Sequence, residues 1–431
     1  MRYTLIMKKK TSLLFIIFML ALIFTGCKTT SNPAQDNSIQ GNSDPVGNNS
    51  ESTKKTGWND ADVAQYATYF HSLCRKAGYT GFWWDCNDLI DRKNLTCRQQ
   101  IVDAIMASYP SNEFNYSKTT VGFVEEDAST AVHNMKTGWN LGNTLDATSY
   151  DYRKEGSGEV GWIIQWGEKD SNGKTTTKAF ETAWGMPVTT QEMIHYVKEC
   201  GFNAVRVPCT WAEHIDENNQ VDPEWMARVH QVVDYVIDEG MYCILNTHHD
   251  GWVCATERMY NKYSKRFESL WTQIAKEFED YDERLIFASM NEVDDEHEGW
   301  IPVTPESTLE YINKWNQLFV NTIRAQGGNH AKRNLVISPK GCSGSDRDMS
   351  ILDKVTDSAE NHLIIEVHNY TPQGFCFMDA TWTTMSAKWI PYQHEYELRQ
   401  DFDMYARWQR RINRPVIIGE YAAFPKKYED Y

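Results

Sequence analysis

From Lys136 onward, seven short apolar stretches alternate with amphipathic helical patterns, and this alternation restricts the fold more than any other feature. The stretches are "TGWNLGN", "AVRVPCTW", "YCILNTHH", "LIFASMNE", "NLVISPKG", "LIIEVHNY" and "PVIIGEY". They carry Val, Ile and Leu on both faces, as parallel strands buried on two sides do. Between them, "TTQEMIHYVKECG" opens on Thr with a Glu soon after and stops on Gly, a helix start and a helix stop. "PEWMARVHQVVDYVIDEG" has apolar residues at helical spacing and the same Gly stop. Repeating βα units of this size predict an α/β fold, a (β/α)8 TIM barrel. A doubly wound open sheet fits less well, because no strand is followed by a glycine-rich phosphate loop.

Seven strands leave two bare edges of unpaired N–H and C=O groups. The missing eighth lies at the front, in "YTGFWWD". Ahead of it, "NDADVAQYATYFHSLCRKAGY" sets Val63, Tyr66, Phe70, Leu73, Cys74 and Ala77 on one helical face. Behind it, "RQQIVDAIMASY" reads as another helix. The expected order is therefore helix 7, strand 8 and helix 8, followed by strands 1 to 7. This is a circularly permuted barrel, with a closing unit in 57–110, a connector in 111–134 that holds at most a short helix, and the remaining strands in 135–431. The end of helix 8 and the start of strand 1 both lie at the bottom of such a barrel, so the connector leaves the core undisturbed. The alternative is an accessory helical module in 57–110 beside an open barrel.

The first 56 residues stand apart from this domain. Lys8, Lys9 and Lys10 precede the apolar run "LLFIIFMLALIF", and Gly26-Cys27 follows it. Residues 1–27 read as a lipoprotein-type signal peptide, with Cys27 acylated and first in the mature chain; the alternative is an ordinary secretory signal. Residues 28–56, rich in Asn, Ser, Gly, Pro and Asp, read as a disordered tether. Either way the chain is expected to be exported, on a cell-surface or periplasm-facing membrane through its lipid or else secreted. A formal net charge of −16 excludes a nucleic-acid partner. The 16 Trp and 22 Tyr suit a flat, hydroxyl-rich ligand such as a sugar, although most are expected to fill the core. Nine cysteines remain beyond Cys27; export permits disulfides, but spacing gives no pairing.

Active sites of these barrels sit at the carboxyl ends of the strands. Those ends carry Asn143, Arg206, His248 with His249, Asn291 with Glu292, His368 with Tyr370, Glu420, and Trp83 with Trp84. Two carboxylates facing each other across one mouth, Glu292 and Glu420, are what glycoside hydrolysis requires. Burying a Glu at the end of "PVIIGE" without a task is costly. Arg206 and Tyr370 are placed to stabilise Glu420 as the carboxylate, His248 and Asn291 to bind sugar hydroxyls, and Trp84 to face a pyranose ring. Adjacent residues on a strand point to opposite faces, so "HHD" does not predict a metal site, and none is expected.

These motifs, in this order, resemble glycoside hydrolase family 5, clan A, and its bacterial endoglucanase branch, subfamily four. The resemblance rests on "GWNLGNTLDA", "WGMPVTTQEMIHYVKECGFNAVRVPCTWAEHI", "LNTHHDGW", "MNE", "VHNY" and "GEY". "GFWWD", "LIDRKN" and "IVDAIM" are similar to the family's C-terminal strand and helix, displaced to the front. The resemblance implies that Glu292 is the acid/base and Glu420 the nucleophile. It places Arg206, His248, Asn291, His368, Tyr370 and Trp84 around the sugar at the cleavage point, and makes Asn143 and His249 contacts on the non-reducing side. It further implies a retaining endo-β-1,4-glucanase acting as a monomer on β-glucan without metal or cofactor, with carboxyl groups roughly 5–5.5 Å apart, a raised pKa on Glu292 and a low one on Glu420. Xyloglucanase, lichenase or mannanase activity on the same scaffold, or a non-catalytic glucan-binding surface lipoprotein, are the alternatives. The chain departs from the family pattern at Met186, Ser289, Val293 and Tyr421. Trp162, Trp166, Trp211, Trp252 and Trp300 fall in loops after strands; they are candidates to line the groove, and for each singly packing is the expected role.

Overall fold

The computed structural model describes residues 56–110, 122–150, 160–296, 303–378 and 383–431. The signal peptide, nearly all of the tether, the first part of the connector and Trp300 lie outside these.

Eight parallel strands close into a barrel: β1 (Thr80–Asp85), β2 (Gly138–Leu141), β3 (Ala204–Val207), β4 (Tyr242–Asn246), β5 (Leu285–Ala288), β6 (Leu335–Ile337), β7 (Leu363–His368) and β8 (Val416–Tyr421). Each of the eight falls inside the stretch assigned to it from sequence. The ring closes where β1 lies between β8 and β2, with Thr80 opposite Ile417 on one side and Trp84 opposite Asn140 on the other. No barrel strand keeps a bare edge, which removes the accessory-module alternative.

The outer layer follows the same ring. Helix α1 (Asp60–Ala77) and helix α2 (Gln99–Met106) flank β1 in sequence, α3 (Ala128–Met135) ends the connector, and α4 (Gln191–Glu199), α5 (Pro223–Asp238), α6 (Glu257–Glu277), α7 (Glu306–Ala325) and α8 (Gln393–Ile412) follow. Helix α1 packs between α8 and α2, so it fills the gap that would otherwise follow β8. Val63, Tyr66, Phe70 and Cys74 are buried there and Leu73 and Ala77 partly so. Helix α4 begins where Thr190 accepts the Met193 N–H, and α5 where Asp222 accepts the Glu224 N–H with Pro223 at the first position.

The two ends of the barrel domain are stitched together. Asn59 N–H donates to the Lys426 carbonyl at 2.8 Å, Tyr428 N–H to the Gly57 carbonyl at 3.0 Å, and Trp58 pairs with Lys427 in an isolated bridge. Since β8 runs into one end and α1 starts from the other, this seam lies on the carboxyl face of the barrel. Tyr421 locks it from below: its ring stacks on Phe70 at 3.9 Å and its hydroxyl meets His71 Nε2 at 2.6 Å. That contact accounts for the tyrosine at this position.

Helix α3 plugs the opposite end. It carries Ala128, Ala131, Val132 and Met135 into a cluster with Phe82, Ile244, Ile286, Val336, Ile364 and Ile417 from the strands. Its backbone takes a hydrogen bond from Thr80 Oγ1 at 2.6 Å and one from Asn203 Nδ2 at 2.6 Å. The lower barrel is thus apolar and sealed. The upper layer of the same inward-facing rows is polar: Trp84, Asn140, Arg206, Asn246, Glu366 and His368. All nine cysteines beyond Cys27 are free thiols.

Removing residues 57–110 deprives β8 and β2 of their common neighbour. The truncated chain is expected to show no cooperative thermal transition by circular dichroism; a stable product with the parent's activity would mean that the front unit is dispensable.

Candidate active site

Glu420 reaches the barrel interior through an irregularity. Ile417 faces inward in the lower core, and strict alternation would turn Glu420, three residues later, outward. The pairing of β8 shifts by one residue between Ile418 and Glu420 against β7 and between Ile418 and Tyr421 against β1. This bulge returns Glu420 to the inside and sends Tyr421 out to Phe70. Gly419 at the bulge is also required by space, because a Cβ there would sit 2.0 Å from Glu366 Oε1.

Arg206 anchors the site. Its guanidinium is fully buried. Nη1 donates to Glu420 Oε1 at 3.0 Å and Asn140 Oδ1 at 3.1 Å, and Nη2 to Asn291 Oδ1 at 2.7 Å. The same Nη2 lies 2.8 Å from Glu366 Oε1. Tyr370 hydroxyl donates to the other oxygen of Glu420 at 3.1 Å. His248 Nε2 stands 4.0 Å from Glu420 Oε1, and its ring lies parallel to Trp84 with centroids 5.7 Å apart. Trp83 instead packs edge-on against Tyr421, so Trp84 is the indole of the cleft.

Glu292 lies past the end of β5, with 46% of its side chain exposed. Nδ1 of His368 is 2.7 Å from Glu292 Oε1 and 3.5 Å from Glu420 Oε2. One oxygen of Glu292, one of Glu420 and a ring nitrogen of His368 all fall within 4.8 Å of one another. The cluster holds three carboxylates, since Glu366 is part of it, against two cationic groups.

Protonation follows from that count and differs from the sequence expectation. Burial disfavours a charged His368, but Cys342, Glu420 and Glu292 around it outweigh burial and hold its pKa well above the usual histidine value. The protein packed around Glu292 strips away part of its water and would raise it, yet the hydrogen bond and charge of His368 bring it below the ordinary glutamate value. Glu420 is raised, by burial first and then by Glu292 and Glu366, against the pull of His368 and Arg206. The expectation of a raised Glu292 and a low Glu420 is therefore reversed in the unliganded site. It neglected the third carboxylate and the imidazolium.

The remaining sequence candidates sit nearby. His249 meets His248 edge-on at 4.4 Å and Trp184 at 5.5 Å. Asn143 is fully buried in the turn after β2, at φ 58°, and neither amide atom has a partner among the described residues. β4 ends at Asn246, so His248 and His249 lie in irregular backbone, and with Asp146 they bring three donor atoms within 4.8 Å. Asp146 there already accepts the backbone N–H groups of Asn143 and Thr144. The nitrogens of His368 are likewise occupied, both by carboxylates. Trp211 and Trp252 are buried as expected, but Trp166 is 75% and Trp162 41% exposed on a short helix after β2. Sequence reasoning missed Asn140, Cys342 and above all Glu366. An acid within "LIIEVH" carries the same burial argument that singled out Glu420. Ser289 donates to Asn316 Oδ1 at 2.7 Å; nothing in the structure explains Met186.

A family model described as cellulase (glycosyl hydrolase family 5) matches residues 169–429, more than half of the chain. The chain belongs to glycoside hydrolase family 5. Within this family it is 37% identical over 304 residues to Endoglucanase A of Clostridium longisporum, covering 69% of this chain and 54% of that one. It spans about half the length of such curated relatives. Among solved structures, a GH5-4 broad specificity endoglucanase from Ruminococcus champanellensis with bound cellotriose matches with TM-score 0.61 and 36% identity, over 70% of this chain and 81% of that one. A family 5 enzyme from Prevotella bryantii in complex with a xyloglucan tetradecasaccharide matches with TM-score 0.59 and 35% identity, over 69% and 79%.

Replacing Arg206 by Met leaves Glu366 and Glu420 buried without their cation. The expected cost is about 3–5 kcal/mol of stability, read as a lower urea midpoint, together with loss of the activity proposed below.

Proposed function

We propose that the protein is a retaining endo-β-1,4-glucanase. The observation that carries this reading is the placement of the Glu292 and Glu420 carboxylates, oxygens within 4.8 Å, at the mouth of a family 5 barrel. That spacing fits the short separation of retaining enzymes, about 5–5.5 Å, and leaves no room for the water an inverting enzyme holds between its acids, about 6.5–9.5 Å.

Glu420, gripped by Arg206 and Tyr370, attacks the anomeric carbon. Glu292, half-exposed beside the cleft, protonates the leaving glycosidic oxygen as the bond breaks. Water then enters, Glu292 takes its proton, and the covalent glycosyl ester on Glu420 is released with β configuration. Forming the ester removes the negative charge of Glu420 beside Glu292, which lowers the pKa of Glu292 and suits it to its second role as base. Trp84 and His248 form one wall for the sugar. The substrate class is β-1,4-glucan; the xyloglucan and cellotriose bound by two relatives support a cleft that takes both plain and branched chains. The exposed indole of Trp166 is a further stacking face for a long chain.

The circular permutation belongs to the same proposal. It is supported by the helix that opens the domain, by the seam of the domain ends on the carboxyl face rather than the bottom, and by the two glutamates lying after the fifth and eighth strands of the chain. So do the lipid on Cys27, the export of a monomer and the tether. They are supported by the basic residues, apolar run and Gly-Cys pair at the front of the sequence.

Glu420→Ala is expected to abolish reducing-sugar release from carboxymethylcellulose, lichenan or xyloglucan, and Glu292→Ala to lower it at least about a hundredfold. Proton NMR of the first products should show the β anomer; an α anomer, or release only from mannan, would overturn the reading. Expressed in a bacterial host, the full chain should fractionate with membranes and Cys27→Ala should not; co-fractionation of both would reject the anchor.

A further inference from the structure

Glu366 has no role in the double displacement, yet it is fully buried in the same cluster. Its Oε1 forms an ion pair with Arg206 Nη2 at 2.8 Å and accepts from His368 Nε2 at 3.1 Å, while Oε2 has no partner among the described residues. The opposite nitrogen of that imidazole, Nδ1, is 2.7 Å from Glu292 Oε1. The three groups form one line: Glu366, His368, Glu292. The bulge residue Gly419 leaves the space that Glu366 occupies, 2.0 Å from where a Cβ would stand.

We propose that Glu366 is a positioning residue which, through His368, keeps a proton at hand for Glu292. This rests on the glycosidase reading above. With carboxylates at both nitrogens, the ring takes one of two states. Either it is an imidazolium beside a Glu292 carboxylate, or it is a neutral ring with its hydrogen on Nε2 beside a protonated Glu292. Glu366 fixes the Nε2 hydrogen in both, so the proton that moves is always the one on the 2.7 Å link. From Glu292 it passes to the leaving oxygen as the C1–O bond breaks and the Glu420–C1 bond forms. Water later breaks that ester and returns its proton to the Glu292–His368 pair, so none is gained or lost. Facing His368 are Cys342, Glu420 and Glu292, which favour its charge, Glu366, whose own pKa its bond to the ring helps to lower, His248, which opposes it, and Arg206 on the far side of Glu366. Of the carboxylates among them, Glu366 alone neither attacks the sugar nor exchanges a proton with it.

The test is the pH dependence of kcat/KM for Glu366→Gln on a soluble β-glucan and on 2,4-dinitrophenyl β-cellobioside, whose leaving group needs no proton. Removing one neighbouring negative charge is expected to move the basic limb on the polymer down by about 1–3 pH units, with the aryl glycoside rate retained. Glu366→Asp, which keeps the charge on a shorter stem, is expected to restore the basic limb. An unchanged basic limb, or equal losses on the two substrates in both variants, would reduce Glu366 to a support for Arg206 and overturn the proposal. If the wild-type protein cleaves neither substrate, the glycosidase reading fails and the proposal goes with it.

Discussion

A single guanidinium buried at the centre of the barrel organises everything above the apolar core. Arg206 binds groups from β2, β7, β8 and the loop after β5. A cation taken out of water is tolerated only where its donors are met by well-placed acceptors, so the barrel must bring those four segments to one point. This requirement ties the site to closure. The acids can be held at short range only if the ring is complete, because Asn140 and Glu420 sit on the two strands that β1 joins.

Closure is a matter of distant sequence. The first strand of the domain completes a sheet whose last strand is encoded more than three hundred residues later, and loop-closure entropy opposes that pairing until neighbouring contacts are made. The structure offsets it with a dense seam: Phe70 on Tyr421, His71 on the same hydroxyl, and backbone bonds between the two domain ends. His71 is buried without charge, its pKa lowered to about 3 by desolvation, so the seam does not titrate under ordinary conditions.

The polar layer shows how like charges can share a small volume. Three carboxylates stand around one arginine and one imidazole, and each shifts the others. Assigning a proton to one glutamate from its neighbours in sequence fails for this reason: protonation belongs to the cluster, and its members come from four different strands and loops.

The βα alternation was readable from residue order because parallel strands buried on both faces must be apolar throughout, and a missing eighth strand cannot be left as an open edge. The same logic located Arg206, Glu292, His368 and Glu420 at strand ends, and Trp84 beside them. The inward turn of Glu420 was not readable, since it depends on a bulge that breaks the two-residue period. The company of Glu366 was hidden too, because one acid inside "LIIEVH" gives no sign of which cation lies across the barrel. Residue order sets which groups are available and which face each prefers. Distances between them, and hence where the protons rest, arise only when the ring closes and charges far apart in the chain are held within one hydrogen bond of each other.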